Sequence, residues 1–408
     1  MVNDTSDPNF RYLTRLWQNV EPRRFAVATR RGQIALVALV VLCGSVGLFW
    51  SAARPLVAAE ELPKQLTDEA FWKLATDFSE AGGYFRSDNF VSNEVSFQFV
   101  IPRLKEGTRP GGVYLGVGPD QNFTYIVALE PKISFIFDIR RQNMLQHLMY
   151  KALIEMSSDR VDFASRLFSR KRPANLPASA SPEELFNAYD EVLADRSLYE
   201  ANLKAIFNRL EKDHGFKLSE EDAKTIEYVY KAFFDAGPDI NYSFSTYGGG
   251  RGRMPTYADL MKQTDNQGTN RAYMANEKNF QLLKTLQRNN LIIPLVGDFA
   301  GDKAIRAVGK YLKEHDANVT AFYLSNVEQY LFQDPENWKK FYTNVGTLPL
   351  DASSTFIRSV FNGMGGVYAT PGFGYMRSIN QLCSMVDVVK AFNEGLITGY
   401  ADVVRMGK

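Results

Sequence analysis

The sequence predicts an α/β fold in which a mostly parallel sheet is flanked by helices. Three observations carry that reading. Short apolar runs alternate with amphipathic helical patterns along most of the chain, which is the signature of strands joined by helical crossovers. The run Val113–Val117 passes through Gly116 and Gly118 straight into a helical pattern, an arrangement that aims backbone N–H groups at one point. Several strand patterns end on polar residues, Asp138, Gly297-Asp298 and Ser325-Asn326 among them. In a parallel sheet these would share the carboxyl edge, where ligands sit.

The first sixty residues read as a targeting region. Arg23, Arg24, Arg30 and Arg31 precede an apolar run, Ile34–Trp50, of about seventeen residues, just enough to cross a bilayer core. Arginines on its N-terminal side predict that this side stays in the cytoplasm. The segment is expected either to anchor the protein in the cell membrane as a single span or to direct its export before cleavage. Thr29-Arg30-Arg31 resembles a twin-arginine signal, and Val57-Ala58-Ala59 suits a signal peptidase. Residues 1–59 are therefore set apart from a domain over 60–408.

That domain opens with a helix over Thr67–Glu80, acidic at its start and closed by Ala81-Gly82-Gly83. The stretch Tyr84 to Val100 brings Asn89, Asn93 and Glu94 ahead of a strand-like FQFVI; they read either as ligand-facing residues or as local caps and turn formers. Val113–Val117 is a strand, Phe123–Leu129 a helix and Ile133–Asp138 a second strand. Gly116, Gly118, Asp120 and Asn122 are the candidate residues of the glycine turn. Asp138 stands about twenty residues on, where dinucleotide-type folds place a carboxylate for ribose hydroxyls. Arg140 and Arg141 follow; they read either as holders of an anionic ligand group or as solvated arginines at a helix start.

A helix over Asn143–Ser157 comes next, then a loop. Ser181-Pro182-Glu183-Glu184 is a helix start with proline at the first position and a capping box. Further helices run to about Ala236, so residues from about 158 to 275 form a large helical insertion between the second and third strands. Within it, Gly248–Arg253 is a basic, glycine-rich loop that reads either as a lid over anionic ligands, with Arg251 the candidate contact, or as an ordinary mobile loop. It lacks the G-K-[ST] ending of a P-loop. The alternation then resumes: helix Asn276–Arg288, strand Leu291–Val296, helix Asp302–Glu314, strand Val319–Leu324, helix Trp338–Asn344, strand Thr355–Phe361.

Composition narrows the function. The formal charge of +1 gives no bulk attraction to nucleic acid or anionic lipid, so no nucleic-acid partner is expected. His147, His214 and His315 are scattered, the only cysteines are Cys43 and Cys383, and no zinc spacing occurs. A hydrolase is disfavoured, because neither a G-x-S-x-G elbow nor a histidine beside a nucleophile is present.

Gly112–Ile139 resembles the first two strands of class I S-adenosylmethionine-dependent methyltransferases, whose core is Rossmann-like. Gly116 and Gly118 match the glycines of its first motif and Asp138 the ribose-binding acid. Asp298 is similar to the acidic position near the adenine, and Ser325-Asn326 falls where the fourth-strand substrate motif lies. The stretches SDNFVSNE, LGVGPDQNF, DIRRQN, PLVGDFAG and FYLSNVEQYL also resemble an uncharacterised bacterial family with such a core, over most of the chain after Leu66. The third glycine of the first motif is absent, and no Asp/Asn-Pro-Pro-Tyr motif follows the fourth strand.

The resemblance implies a nucleoside-type ligand, S-adenosylmethionine, held by the Gly116–Asp120 turn, Asp138 and Asp298. Tyr323 and Asn326 would then orient an acceptor for methyl transfer, a reaction that needs alignment more than a base. The alternative is a non-catalytic exported or membrane-anchored protein that uses the same cleft for binding.

Overall fold

The computed structural model describes residues 61–108, 110–242, 254–361, 368–370, 374–376 and 378–408. The apolar run Ile34–Trp50 and the glycine-rich loop with Arg251 lie outside them. Among the described residues no helix is long and apolar enough to cross a membrane.

Six strands form one sheet in the order β3-β2-β1-β4-β5-β8, compatible with a Rossmann-like fold. They are β1 Val113–Val117, β2 Ile133–Asp138, β3 Ile292–Val296, β4 Val319–Ser325, β5 Thr355–Phe361 and β8 Ser378–Ser384, with β6 (Tyr368–Thr370) and β7 (Gly374–Met376) forming a separate hairpin. The first five pair in parallel, and β8 runs antiparallel to β5. Every residue of β1, β2 and β3 is buried, as expected of strands covered on both faces, and it explains why their sequences are unbroken apolar runs.

Helices supply that cover. Before β1 come α1 (Asp68–Asp77) and α2 (Ile101–Gly107), and α3 (Gln121–Leu129) joins β1 to β2. Between β2 and β3 the chain forms α4 (Arg141–Met156), α5 (Arg160–Phe168), α6 (Pro182–Asp190), α7 (Arg196–Phe207), α8 (Glu220–Ala236), α9 (Tyr257–Lys262) and α10 (Glu277–Arg288). Helix α11 (Ala304–Glu314) leads to β4, α12 (Val327–Leu331) and α13 (Pro335–Val345) lead to β5, and α14 (Met385–Asn393) and α15 (Tyr400–Arg405) close the chain. The capping box read from Ser181 and Glu184 is formed at the start of α6.

One expected strand is absent. FQFVI forms turns that run into α2, whose second residue is Pro102. The buried residues of this stretch, Phe97, Val100, Ile101 and Leu104, recur at helical spacing, and proline at a helix start is favourable where a missing N–H has no partner to lose.

Chain direction creates the cleft. The strands β1, β2 and β3 progress to one side, then the chain crosses back to lay β4 on the other side of β1. At such a reversal the two flanking connections leave in opposite directions and open a crevice at the carboxyl ends. The register also shifts between Tyr323 and Ser325 where β4 meets β5, and Ser325 takes a left-handed φ of 49°. That bulge turns the end of β4 toward the crevice.

A buried ion pair ties the far side together. Arg358 on β5 donates from Nε (2.7 Å) and Nη2 (3.1 Å) to the carboxylate of Glu328 on α12. Tyr342 Oη donates to the same carboxylate at 2.6 Å, and Arg358 Nη1 reaches the carbonyl of Val403 on α15.

Candidate functional site

A cavity of about 520 Å³ lies along the carboxyl edge. All five parallel strands deliver residues to it: Val117 and Gly118 at the end of β1, Asp138 from β2, Gly297 and Asp298 after β3, Tyr323, Ser325 and Asn326 at the end of β4, and Phe361 from β5. Its remaining wall is the segment from Tyr84 to Glu94, with Tyr330 opposite; the Phe85 and Tyr330 rings meet edge to face at 5.4 Å.

That segment is pinned to successive strand ends by hydrogen bonds. Glu80 N–H donates to Val296 O (2.9 Å) and Gly83 N–H to Ile139 O (2.7 Å). A side chain at Gly83 would run into Ile139, its Cβ only 2.5 Å from Cγ1, so glycine is required for this approach. The Glu80 carboxylate accepts from the N–H groups of Lys303 and Ala304, each at 2.7 Å. It thus occupies the start of α11 as an internal anion.

Asp138 sits at the cleft floor with its carboxylate committed. Its Oδ1 accepts from the N–H and Nε of Arg140, both at 2.9 Å, and Oδ2 from Arg140 Nη2 at 2.7 Å. Arg140 Nη1 in turn donates to the carbonyls of Ser87 (2.8 Å) and Asp88. Arg140 is therefore a brace between β2 and the overlying segment, and Arg141 makes a bidentate pair with Asp222 on α8 at 2.6 and 2.8 Å. A carboxylate oxygen has two acceptor directions, so Oδ2 of Asp138 keeps one for a ligand hydroxyl. Asp298 is freer: its Oδ1 accepts from Ala300 N–H at 2.9 Å, and Oδ2 has no partner among the described residues.

The glycine turn divides its residues between the cleft and its support. Gly118 lines the cavity at a φ of 80°, and a Cβ there would meet nothing within 4 Å. Gly116 serves packing: a Cβ would lie 1.9 Å from Asn122 Oδ1. Asn122 itself is fully buried, accepts from Tyr114 Oη at 2.8 Å and donates to the carbonyls of Val117, Gly118 and Pro119 at 2.9, 3.2 and 2.7 Å. It holds the turn from behind.

Asp120 also lies behind the turn, where Tyr273 Oη donates to it at 2.9 Å. Burial pushes its carboxyl up to about 7. His147 supports the turn as well, its Nε2 bonded to Gly118 O at 2.8 Å, with burial lowering the imidazole to about 4. The ring is neutral and donates from Nε2.

Asn89, Asn93, Glu94, Tyr323 and Asn326 all line the cavity. Glu94 is 1% exposed and is the hub of a polar network. Its Oε1 accepts from Tyr323 Oη (2.7 Å) and Ser325 Oγ (2.5 Å), and its Oε2 from Ser359 Oγ and from Asn380 Nδ2 (2.9 Å). Tyr323 Oη also accepts from Gln121 Nε2, so its hydroxyl is engaged both ways and positions other groups. Asn326 Oδ1 lies 3.4 Å from Ser325 Oγ, and its Nδ2 has no partner among the described residues. Burial, then the charge of Glu94, raise the Tyr323 phenol well above its ordinary value.

Gln121, Phe85, Arg86, Tyr242, Tyr330 and Phe361 join the lining without having been singled out in the sequence. Gln121 alone carried a usable signal, as the first helical residue after the glycine turn. Among the described residues no three His, Cys, Asp or Glu side chains gather to hold a metal ion.

The family described as a domain of unknown function (DUF7790) matches residues 89–382, and the chain belongs to it. The match takes in every cavity residue named above except Tyr84, Phe85 and Arg86. No curated protein matches the chain.

Proposed function

We propose that this DUF7790 protein binds a nucleoside cofactor of the S-adenosylmethionine type in the cleft and transfers its methyl group to a small acceptor. The observation that carries the reading is the convergence of five strand ends on one cavity at the reversal between β1 and β4, the position at which open α/β sheets bind ligands. Under this reading the core is a methyltransferase-like Rossmann fold, and the helices from α5 to α9 are an insertion between its second and third strands.

The residues divide the work by what each has free. Gly118 leaves open space for the cofactor to approach the main chain. Asp138 Oδ2 takes one ribose hydroxyl, while Arg140 fixes the carboxylate's direction. Asp298 Oδ2 accepts from the adenine amine. Asn326, with Tyr323 held rigid beside it, orients the acceptor in line with the sulfonium carbon, which is where most of the rate of such a displacement arises.

Calorimetric titration of the full-length protein with S-adenosylmethionine and S-adenosylhomocysteine tests this. Micromolar binding that weakens at least tenfold in Asp298→Ala is the expected result. A well-folded wild type that binds neither nucleoside removes the reading. Asp138→Ala is a poor probe, because it strands the buried Arg140 guanidinium. Should both nucleosides fail, the non-catalytic alternative gains weight, since the arginine-flanked apolar run Ile34–Trp50 would carry the domain away from the compartment in which the cofactor is made.

A further inference from the structure

Beside the nucleoside position, we infer that the cleft holds a subsite for a protonated amine, built from the charge of Glu94 and the free carbonyl oxygen of Gln121. The inference deepens the nucleoside reading by naming the chemistry of the other half of the cleft, but its test does not need a nucleoside to bind.

The first observation is a buried charge without a counterion. Glu94 is 1% exposed, lines the cavity and accepts four hydrogen bonds, all from neutral groups. No Lys, Arg or His among the described residues forms an ion pair with it. The cations bordering the cavity are otherwise placed: Arg140 is paired to Asp138, and Arg86 is exposed to solvent. The phenols around Glu94 stay neutral, since burial followed by its negative charge raises Tyr114, Tyr125 and Tyr323. A desolvated charge attracts an opposite one far more strongly than it would in water.

The second observation is an orphaned acceptor in the same wall. Gln121 is 4% exposed and its Oε1 has no partner. The network fixes which end of the amide is which. Tyr323 has one proton and gives it to Glu94, so Gln121 must donate its Nε2–H to the tyrosine oxygen, which leaves its Oε1 as the end without a donor. Asn89 Oδ1, also at the cavity, is a second buried acceptor without a donor. Orphaned acceptors beside an uncompensated anion call for a ligand that is cationic and rich in N–H donors. An ammonium group meets both demands, and the edge-to-face Phe85 and Tyr330 rings suit an aromatic or alkyl body.

The ammonium could come from a separate amine or from the amino-acid end of the cofactor. The probe pair is phenethylammonium and its neutral counterpart 2-phenylethanol, titrated at pH 7 into the full-length protein by ligand-observed NMR. The wild type is expected to prefer the amine at least tenfold. In Glu94→Gln that preference should fall to near one while the alcohol binds as before, and a general loss of packing would not produce this pattern. Equal binding of both probes by the wild type, or a preference retained in Glu94→Gln, overturns the proposal. Should Glu94→Gln fail to fold, Gln121→Met decides on the same ratio, which is expected to drop several-fold.

Titration of Glu94→Gln with S-adenosylhomocysteine and 5′-methylthioadenosine separates the sources. Weakened binding of the first alone assigns the subsite to the cofactor's own ammonium. Unchanged binding of both assigns it to a separate amine. Amine discrimination in a protein that binds neither nucleoside would uphold this inference and remove the nucleoside reading.

Discussion

Glu328 and Glu94 are equally buried, at 1% exposure each, and both accept from a tyrosine hydroxyl. Glu328 has a guanidinium wrapped around it in a two-bond pair with Arg358. Glu94 has only hydroxyls and one carboxamide. The first arrangement neutralises its charge inside the fold; the second keeps a negative charge beside a cavity. Asp120 shows a third outcome, in which a buried carboxylate with a single phenol donor holds its proton instead, its pKa raised to about 7 by burial. The three differ in their partners, and the partners decide whether a buried carboxylate's charge is paired, left uncompensated or removed by a proton.

The largest effect is expected where the charge is paired. Arg358→Met leaves Glu328 buried without a counterion and frees the carbonyl of Val403, so unfolding in urea should show a loss of about 3–5 kcal/mol, the usual cost of breaking a buried pair by removing one partner. A loss below about 1 kcal/mol would mean that water reaches Glu328 and that the contrast with Glu94 is false.

Asp120 gives the next effect, through pH. Its folded pKa of about 7 lies above the ordinary carboxylate value, so the folded state binds the extra proton. Its contribution to stability is full below about pH 4 and is lost as pH rises through 7. Raising a folded carboxyl's pKa by one costs its ionised form about 1.4 kcal/mol, so Asp120→Asn, which keeps an acceptor for Tyr273, should stabilise the protein by about 2–4 kcal/mol at pH 8. The same variant should flatten its part of the melting temperature profile between pH 4 and 8. An unchanged profile would show that Asp120 is ionised in the fold, and that Glu94 is then not alone near the turn as an uncompensated carboxylate.

What the sequence showed of this contrast follows from which facts are local. Strands β1, β2 and β5 span the bounds read from the sequence; for β1 and β2, covered on both faces, little alternation blurs the boundary. Gly118, Asp138, Asp298 and Asn326 were legible as residues of the carboxyl edge because strand direction alone carries them there. Asp120 and Asn122, expected beside them, do not line the cavity. A helix turns about 100° per residue, so at the start of α3 it is Gln121, between them, that faces the cavity. FQFVI was too short for period alone to separate strand from helix. That Arg140 folds back onto Asp138, and that no cation approaches Glu94, are tertiary facts that depend on every neighbouring element at once.

The smallest effect is the most diagnostic. Glu94→Gln replaces a charge by an isosteric amide in a network that can re-form around it. The hydroxyls of Tyr323, Ser325 and Ser359 can rotate, and the Asn380 amide still donates to Ser359 Oγ, at 2.8 Å in the native network. One N–H of the network loses its acceptor, a cost offset because the desolvation of a carboxylate is relieved. Stability should therefore move by about 1 kcal/mol or less, well under the Arg358→Met loss, while amine discrimination disappears. A residue kept for structure would show the reverse, a large loss of stability with ligand preference intact. Measured together by urea unfolding and the amine–alcohol pair, the two readouts assign Glu94 either to the ligand or to the fold.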